Sequence, residues 1–355
     1  MRPRLRLLLI GMLVLLVAGH TAYWLQARRV LTQGYAAWTQ ARRAAGWTIA
    51  SEPAVAGGWP LVVTLTVPDF VIAGSDPEFL PGGINWSAER LVLRVALAQP
   101  RLLRIEAEGA QHVSLGGGAD VPYTADRLRL ELPIAPDMSP RGGEITAQHL
   151  RAGLPSGPET ISPLTIDRFD LRIDTKPAAP QGEALCSFSL SAEAIGLPPD
   201  FDWALGPRIE QLTLEGALDG PLPRGRGLMA RAVQWRDGGG ALEVRDFSLD
   251  WGPLDLSAKA TLALDDRLQP MGTGTARLTG FAATLNAMAD GGVMSQQAAT
   301  LATAMLTLLS HTPSEDAEPE VEVPLTLQGR RLSLRHMPLA RLPALDWPML
   351  DKPAQ

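Results

Sequence analysis

The chain has 355 residues, room for one large or two ordinary domains, and carries 38 acidic against 32 basic side chains. Seven Arg but no acidic residue precede Glu52, so the rest of the chain holds 25 basic against 38 acidic groups, and this excludes the clustered Lys and Arg on which nucleic-acid binding depends. A single cysteine, Cys186, excludes an intrachain disulfide framework and a cysteine-based zinc site.

Arg2, Arg4 and Arg6 precede an apolar run from Leu7 to Gly19, and low polarity continues to Tyr23, Trp24 and Leu25. As a helix, Leu7 to Leu25 spans roughly 28 Å, close to the hydrocarbon thickness of a bilayer. Residues 1–26 read as an N-terminal transmembrane anchor. The competing reading is a signal peptide, because the purely apolar part is short and Val17-x-Gly19 is a weak cleavage site. Tyr23, Trp24, Arg28 and Arg29 fall where membrane-interface residues are expected. Basic residues flank the span on both sides, and the orientation adopted is a single-pass protein with its N-terminus in the cytoplasm and its body exported. Residues 27–47 read as an amphipathic helix with Trp24, Leu31, Tyr35, Trp38 and Ala45 on one stripe. Such a helix packs on a sheet or lies on anionic headgroups.

From residue 48 the period changes to two, the mark of strands with one apolar and one wet face. The first β-rich half, 48–176, holds Leu61 to Val67, then Leu91, Leu93, Val95 and Leu97, then Leu103, Ile105 and Ala107, then Leu128, Leu130 and Leu132. Leu164, Ile166, Phe169, Leu171 and Ile173 change phase, predicting a bulge near Arg168. The Pro-rich Lys176 to Gly182 divides the body. In the second half, 183–281, Cys186, Phe188, Leu190 and Ala192 share a face, which makes Cys186 a buried structural thiol. Leu212, Leu214 and Leu218 form the next strand, and Val233 and Trp235 are placed in another. The phase slips near Asp246, and Leu254 to Leu264 then gives the cleanest alternation in the chain. Residues 282–310 read as one helix, or two broken near Gly291-Gly292. Residues 311–355 contain an acidic Pro-rich loop and two short strands.

The anchor, Gly46-Trp47, Gly58-Trp59-Pro60, and the Trp251-Gly252-Pro253-Leu254-x-Leu256 phrase with Leu264-Asp265 and Pro270-x-Gly272 resemble the bacterial family called domain of unknown function 2125. That resemblance implies a membrane-anchored envelope protein of Gram-negative bacteria without assigned chemistry. In strand rhythm alone the chain is also similar to AsmA-like envelope proteins, whose long sheets curl into grooves associated with lipid movement.

Catalytic motifs are absent. No Walker A, H-E-x-x-H or G-x-S-x-G sequence occurs. Gly272-x-Gly274 and Gly225-x-Gly227 read as turns, and His112, His149, His311 and His336 lack ligand spacing. Asp250 with Asp255, or Asp265 with Asp266, could supply a carboxylate pair, but solvation at turns and strand edges explains them better. No catalytic, metal or cofactor site is therefore expected, and the protein is read as a non-enzyme.

The expected fold is mainly β, a large curved antiparallel sheet or a β-sandwich or groove, with the N-terminal transmembrane helix and the helical segment near 282–310. Two functions fit it. A sheet folded on itself gives a filled sandwich with a structural or interaction role. A sheet that curls without closing leaves a groove for acyl chains, with Leu254, Leu256, Leu262, Leu264, Leu212 and Leu214 as candidate lining. The partners expected are membrane lipid through the N-terminal segment and an acyl-chain ligand, with no nucleic acid.

Overall fold

The computed structural model describes residues 3–76, 80–116, 118–135, 141–157, 160–175, 185–220, 228–311, 319–334 and 337–345. A helix α1 (Pro3–Ala44) leads into β1 (Thr48–Ala50), β2 (Val55–Gly57), β3 (Val62–Asp76) and β4 (Leu80–Ala96). Then come β5 (Leu102–Leu115), β6 (Val121–Thr124), β7 (Arg127–Pro133), β8 (Gly142–Pro155) and β9 (Ile161–Thr175). The second part holds β10 (Cys186–Gly196), β11 (Arg208–Asp219), helix α2 (Leu228–Asp237), β12 (Ala241–Trp251), β13 (Leu254–Leu264) and β14 (Pro270–Thr279). Helices α3 (Phe281–Asp290) and α4 (Gln296–Leu309) precede β15 (Val321–Gln328), β16 (Arg331–Leu334) and β17 (Met337–Arg341).

All strands belong to one antiparallel sheet. From β3 onward each strand pairs with the next, except that β6 and β7 lie end to end between β5 and β8. The short β1 and β2 pair end to end with the other side of β3. This is a meander, the topology that short connections between alternating strands dictate. The segment 176–182 lies outside the described residues, and β9 and β10 on either side of it pair directly, so the sheet runs through both halves.

The register aligns the apolar positions of successive strands into rows. One row runs Leu65, Leu93, Ile105, Leu130, Ile145, Leu171, Leu190, Leu214, Phe247, Ala258, Ala276, Val323, from β3 to β15 without a polar side chain. The neighbouring row, from Val67 and Leu91 through Phe169, Leu212 and Leu256 to Val321, is equally apolar. The alternate positions carry Glu106, Arg129, Thr146, Asp170, Ser191, Thr213 and Ser248 on the opposite face. With strands about 4.8 Å apart, the apolar band is about 50 Å long.

A crease crosses the sheet beside these rows. Asp69 and Glu89 are skipped between β3 and β4, and β4 slips against β5 where Gly109 has φ 81°. Further on, Asp167 faces His149 (φ 49°) on one side and Ala194 (φ 54°) on the other, and β12 slips between Val244 and Phe247. Bulges and left-handed residues bend strands and increase their twist. A Cβ at Gly109 would lie 2.1 Å from the Glu89 carboxylate, so only glycine lets the strands close here.

Two core clusters form at opposite ends of the apolar face. At the first end Leu31 and Tyr35 of α1 pack on Leu65, Val67, Leu91, Leu93 and Ala107. At the other, Phe281 and Ala282 of α3 and Leu306 of α4 join Ala276, Val321 and Val323. The helix pair breaks at Gly291, and Ser295 caps α4 by accepting from the Ala298 amide at 3.2 Å.

Several expectations need correction. Val233 and Trp235 lie in α2 and not in a strand. Three alternating residues cannot distinguish the two periods, and Leu228 to Ala232 are mostly good helix formers. Trp235 is fixed by donating from Nε1 to the Asp219 carbonyl at 2.9 Å, with its ring filling the space beside Gly240. Gly272 and Gly274 lie within β14 opposite Leu262 and Ala260, not in a turn. Gly225-x-Gly227, His336 and most of the acidic loop lie outside the described residues. The segments 1–26 and 27–47 are a single continuous helix within their described residues. β17 adds a third strand after the loop.

Candidate functional site

The feature that stands apart is the middle of the apolar face. Helix α1 packs on β1 and β3, α2 and α3 on β13 and α4 on β15, and Trp235 of α2 also bonds to the end of β11. Both helical covers rest on the same face, because the apolar rows join the two clusters strand by strand. Between them β8 to β12 form the floor of a trough, about 20 Å across by strand spacing. Its floor residues Phe169, Leu171, Leu190, Leu212, Leu214, Phe247 and Leu249 are all part-exposed, and Ile173 is 38% exposed. The whole chain exposes 22259 Å², whereas a compact monomer of this mass exposes about 14,000 Å².

Of the six candidate lining residues, Leu212 and Leu214 lie on the open floor. Leu256 shares the row of Leu212 but packs in the cluster joined by α3 and α4. Leu262 sits opposite Leu242, while Leu254 and Leu264 occupy the two ends of β13 opposite Trp251 and Pro270. The floor residues of β8, β9 and β12 escaped selection because alternation gives a face for each strand but no register between strands. Gly216 lies between Phe188 and Val244, and the Phe188 ring occupies the space a Cβ at 216 would enter, 2.6 Å away.

The opposite face carries the charge. Glu106 bridges Arg129 at 2.7 Å and Arg94 at 2.8 Å, and Arg104 meets Glu131 at 2.7 Å. Burial alone would raise the Glu106 pKa, but the Arg129 hydrogen bond and the Arg94 and Arg129 charges hold it below the ordinary value of 4.5. Cys186 is half-buried at one margin of the trough, and burial, with the nearby Asp174 charge, raises its thiol pKa. It is a protonated, weakly reactive thiol.

Two other concavities are lined with charge as well as apolar groups. One of about 550 Å³ is lined by the paired Arg94, Arg104, Glu106 and Arg129. Another of about 880 Å³ at the strand ends balances Arg236, Arg267 and Arg330 against Asp237, Asp265 and Asp266. Asp250 and Asp255 do face each other across β12 and β13, both exposed on the polar side. Asp265 caps its own turn by accepting from the Arg267 and Gln269 amides at 2.8 Å. His112, His149 and His311 each meet one carboxylate, and no metal-binding cluster occurs among the described residues.

Beyond the apolar run, Trp24 is docked on the sheet. It is only 7% exposed, because its Nε1 donates to the Val62 carbonyl at 2.8 Å and docks the helix on β3. Arg28 lies over its ring at 5.8 Å, Tyr23 is exposed, and Arg29 is exposed. The described part of α1 from Leu9 is long and apolar enough to cross a membrane.

A family model described as an uncharacterized protein conserved in bacteria, DUF2125, matches residues 24–343. The chain belongs to the DUF2125 family. The DUF2125 match starts at the docked Trp24 and takes in the whole sheet through β17. No curated protein and no solved structure matches the chain, so the AsmA-like comparison gains no support.

Proposed function

We propose that this DUF2125 protein is an inner-membrane-anchored, periplasm-facing envelope protein whose trough binds lipid acyl chains without catalysing a reaction. The observation that carries this reading is the unbroken apolar register from β3 to β15, with the described helices packed mainly toward its two ends, on β1, β3, β13 and β15. A filled interaction module would fold the sheet over these rows and bury them, whereas Phe169, Leu171, Leu212 and Leu214 are part-exposed. The trough width suits an acyl chain, since one leaflet contributes about 15 Å of hydrocarbon. Each buried methylene contributes about 0.8 kcal/mol, so about ten would outweigh the loss of chain freedom. The absence of charge on the floor fits a ligand held by area alone, and the polar face keeps the opposite side wet.

The test is organic extraction and mass spectrometry of the full chain purified in detergent, compared with Leu214→Glu and with Thr213→Glu on the opposite face. The expected result is specific phospholipid or fatty acid retained by the parent and Thr213→Glu proteins and lost from Leu214→Glu, with unchanged circular dichroism. Equal lipid in all three would refute acyl binding in the trough.

A further inference from the structure

We propose that the turn before β3, Gly58 to Leu61, inserts into the interface of the membrane that α1 crosses and forms a second lipid contact. This rests on reading α1 as a membrane span. The turn presents Trp59 at 57% and Leu61 at 69% exposure on either side of Pro60. The strand core does not need them, since Val63, Leu65 and Val67 supply the buried side chains of β3. Two adjacent large apolar groups in water are unfavourable, whereas Trp is the side chain that prefers the headgroup boundary.

Geometry places the turn at that boundary. His20 Nε2 donates to the Pro60 carbonyl at 2.7 Å, and Trp24 Nε1 donates to the Val62 carbonyl at 2.8 Å. These two donors stand one helical turn apart, directly after the apolar run whose Leu9 to Val17 side chains are exposed. The turn is therefore fastened to α1 where the hydrocarbon segment ends, beside the exposed Tyr23. The next turn of the same sheet margin lies alongside, with the Leu97 amide donating to the Leu61 carbonyl at 3.0 Å. It carries the exposed Arg101, and neither Gly58 to Leu61 nor Ala98 to Arg101 contains an acidic residue. An apolar tip flanked by a cation suits anionic headgroups above acyl chains. With α1 and this turn both in lipid, the margin where β3 starts faces the bilayer, and the trough-bearing sheet is held at a defined attitude to the membrane.

The experiment uses the full chain in a Cys186→Ser background, reconstituted into vesicles of phosphatidylethanolamine and phosphatidylglycerol. The probe is an environment-sensitive fluorophore on Leu61→Cys, on Leu115→Cys at the opposite margin, or on Leu15→Cys in the span. The proposal expects a blue-shifted emission and loss of quenching by aqueous iodide at 61 and 15, with water-like behaviour at 115. Water-like emission at 61 with lipid-like emission at 15 overturns the inserted turn and leaves the span standing. Water-like emission at 15 overturns both.

Discussion

At the residue scale, the sharpest dependence on pH belongs to Glu106. Its carboxyl is held below 4.5 in the folded chain because two guanidinium groups, Arg94 and Arg129, outweigh the effect of burial. A depressed folded pKa contributes stability that is fully present above the unfolded value and is lost as pH falls through the folded one. Urea midpoints should therefore hold steady above about pH 5 and decline as the pH drops below the ordinary carboxylate range. In Glu106→Gln the unfolding free energy at neutral pH should fall by about 1 kcal/mol and this part of the acid decline should vanish. An identical acid profile in parent and variant would show that the pair contributes nothing. The outer face shows how little such residues reveal in sequence. Alternating Arg and Glu on β4, β5 and β7 announced a wet face, but which Arg meets which Glu depends on register.

At the element scale, α1 joins an apolar run long enough to cross a membrane to a share of the core. Its last half supplies Leu31 and Tyr35 to the first cluster, and Trp24 closes the start of β3. Trp24→Ala removes a buried ring and leaves the Val62 carbonyl without its indole donor, a loss of about 3–5 kcal/mol. Urea unfolding followed by the remaining tryptophans should show it, while membrane retention stays intact because the apolar run is untouched. No change in midpoint would mean the helix is not part of the folded body. The strand elements were legible where alternation is long, as at Leu254 to Leu264, and the register shift between Val244 and Phe247 showed as the break in phase near Asp246. The break in phase near Arg168 is not a bulge: the pairing skips Asp167 opposite His149 and Ala194 and keeps its register. The left-handed Asp69 and His149 left no mark, because a polar residue there looks like any outward position. Helix α2 was misread because Val233-x-Trp235 fits either period, and the tertiary contact of Trp235 with Asp219 and Gly240 decides it.

At the scale of the whole molecule, one sheet carries an apolar band about 50 Å long, walled by α1 at one end and by α3 and α4 at the other. The sequence already posed the choice between a filled sandwich and an open groove, and could not resolve it, since burial by another layer leaves no mark on alternation. Leu212 and Leu256 show why: identical in pattern and in the same row, one lies on the open floor and the other packs in the cluster joined by α3 and α4. Cysteine chemistry plays no part in this account, consistent with the raised thiol pKa of Cys186. The most direct measurement places a photo-activatable benzoylphenylalanine at Leu214 and, separately, at its neighbour Thr213, in cells labelled with radioactive phosphate and fatty acid. Their side chains point to opposite faces of one strand, so folding, abundance and distance from the membrane are matched. Acyl binding in the trough predicts a labelled lipid adduct at position 214 and none at 213. Equal labelling at both positions, or none at 214, would contradict it.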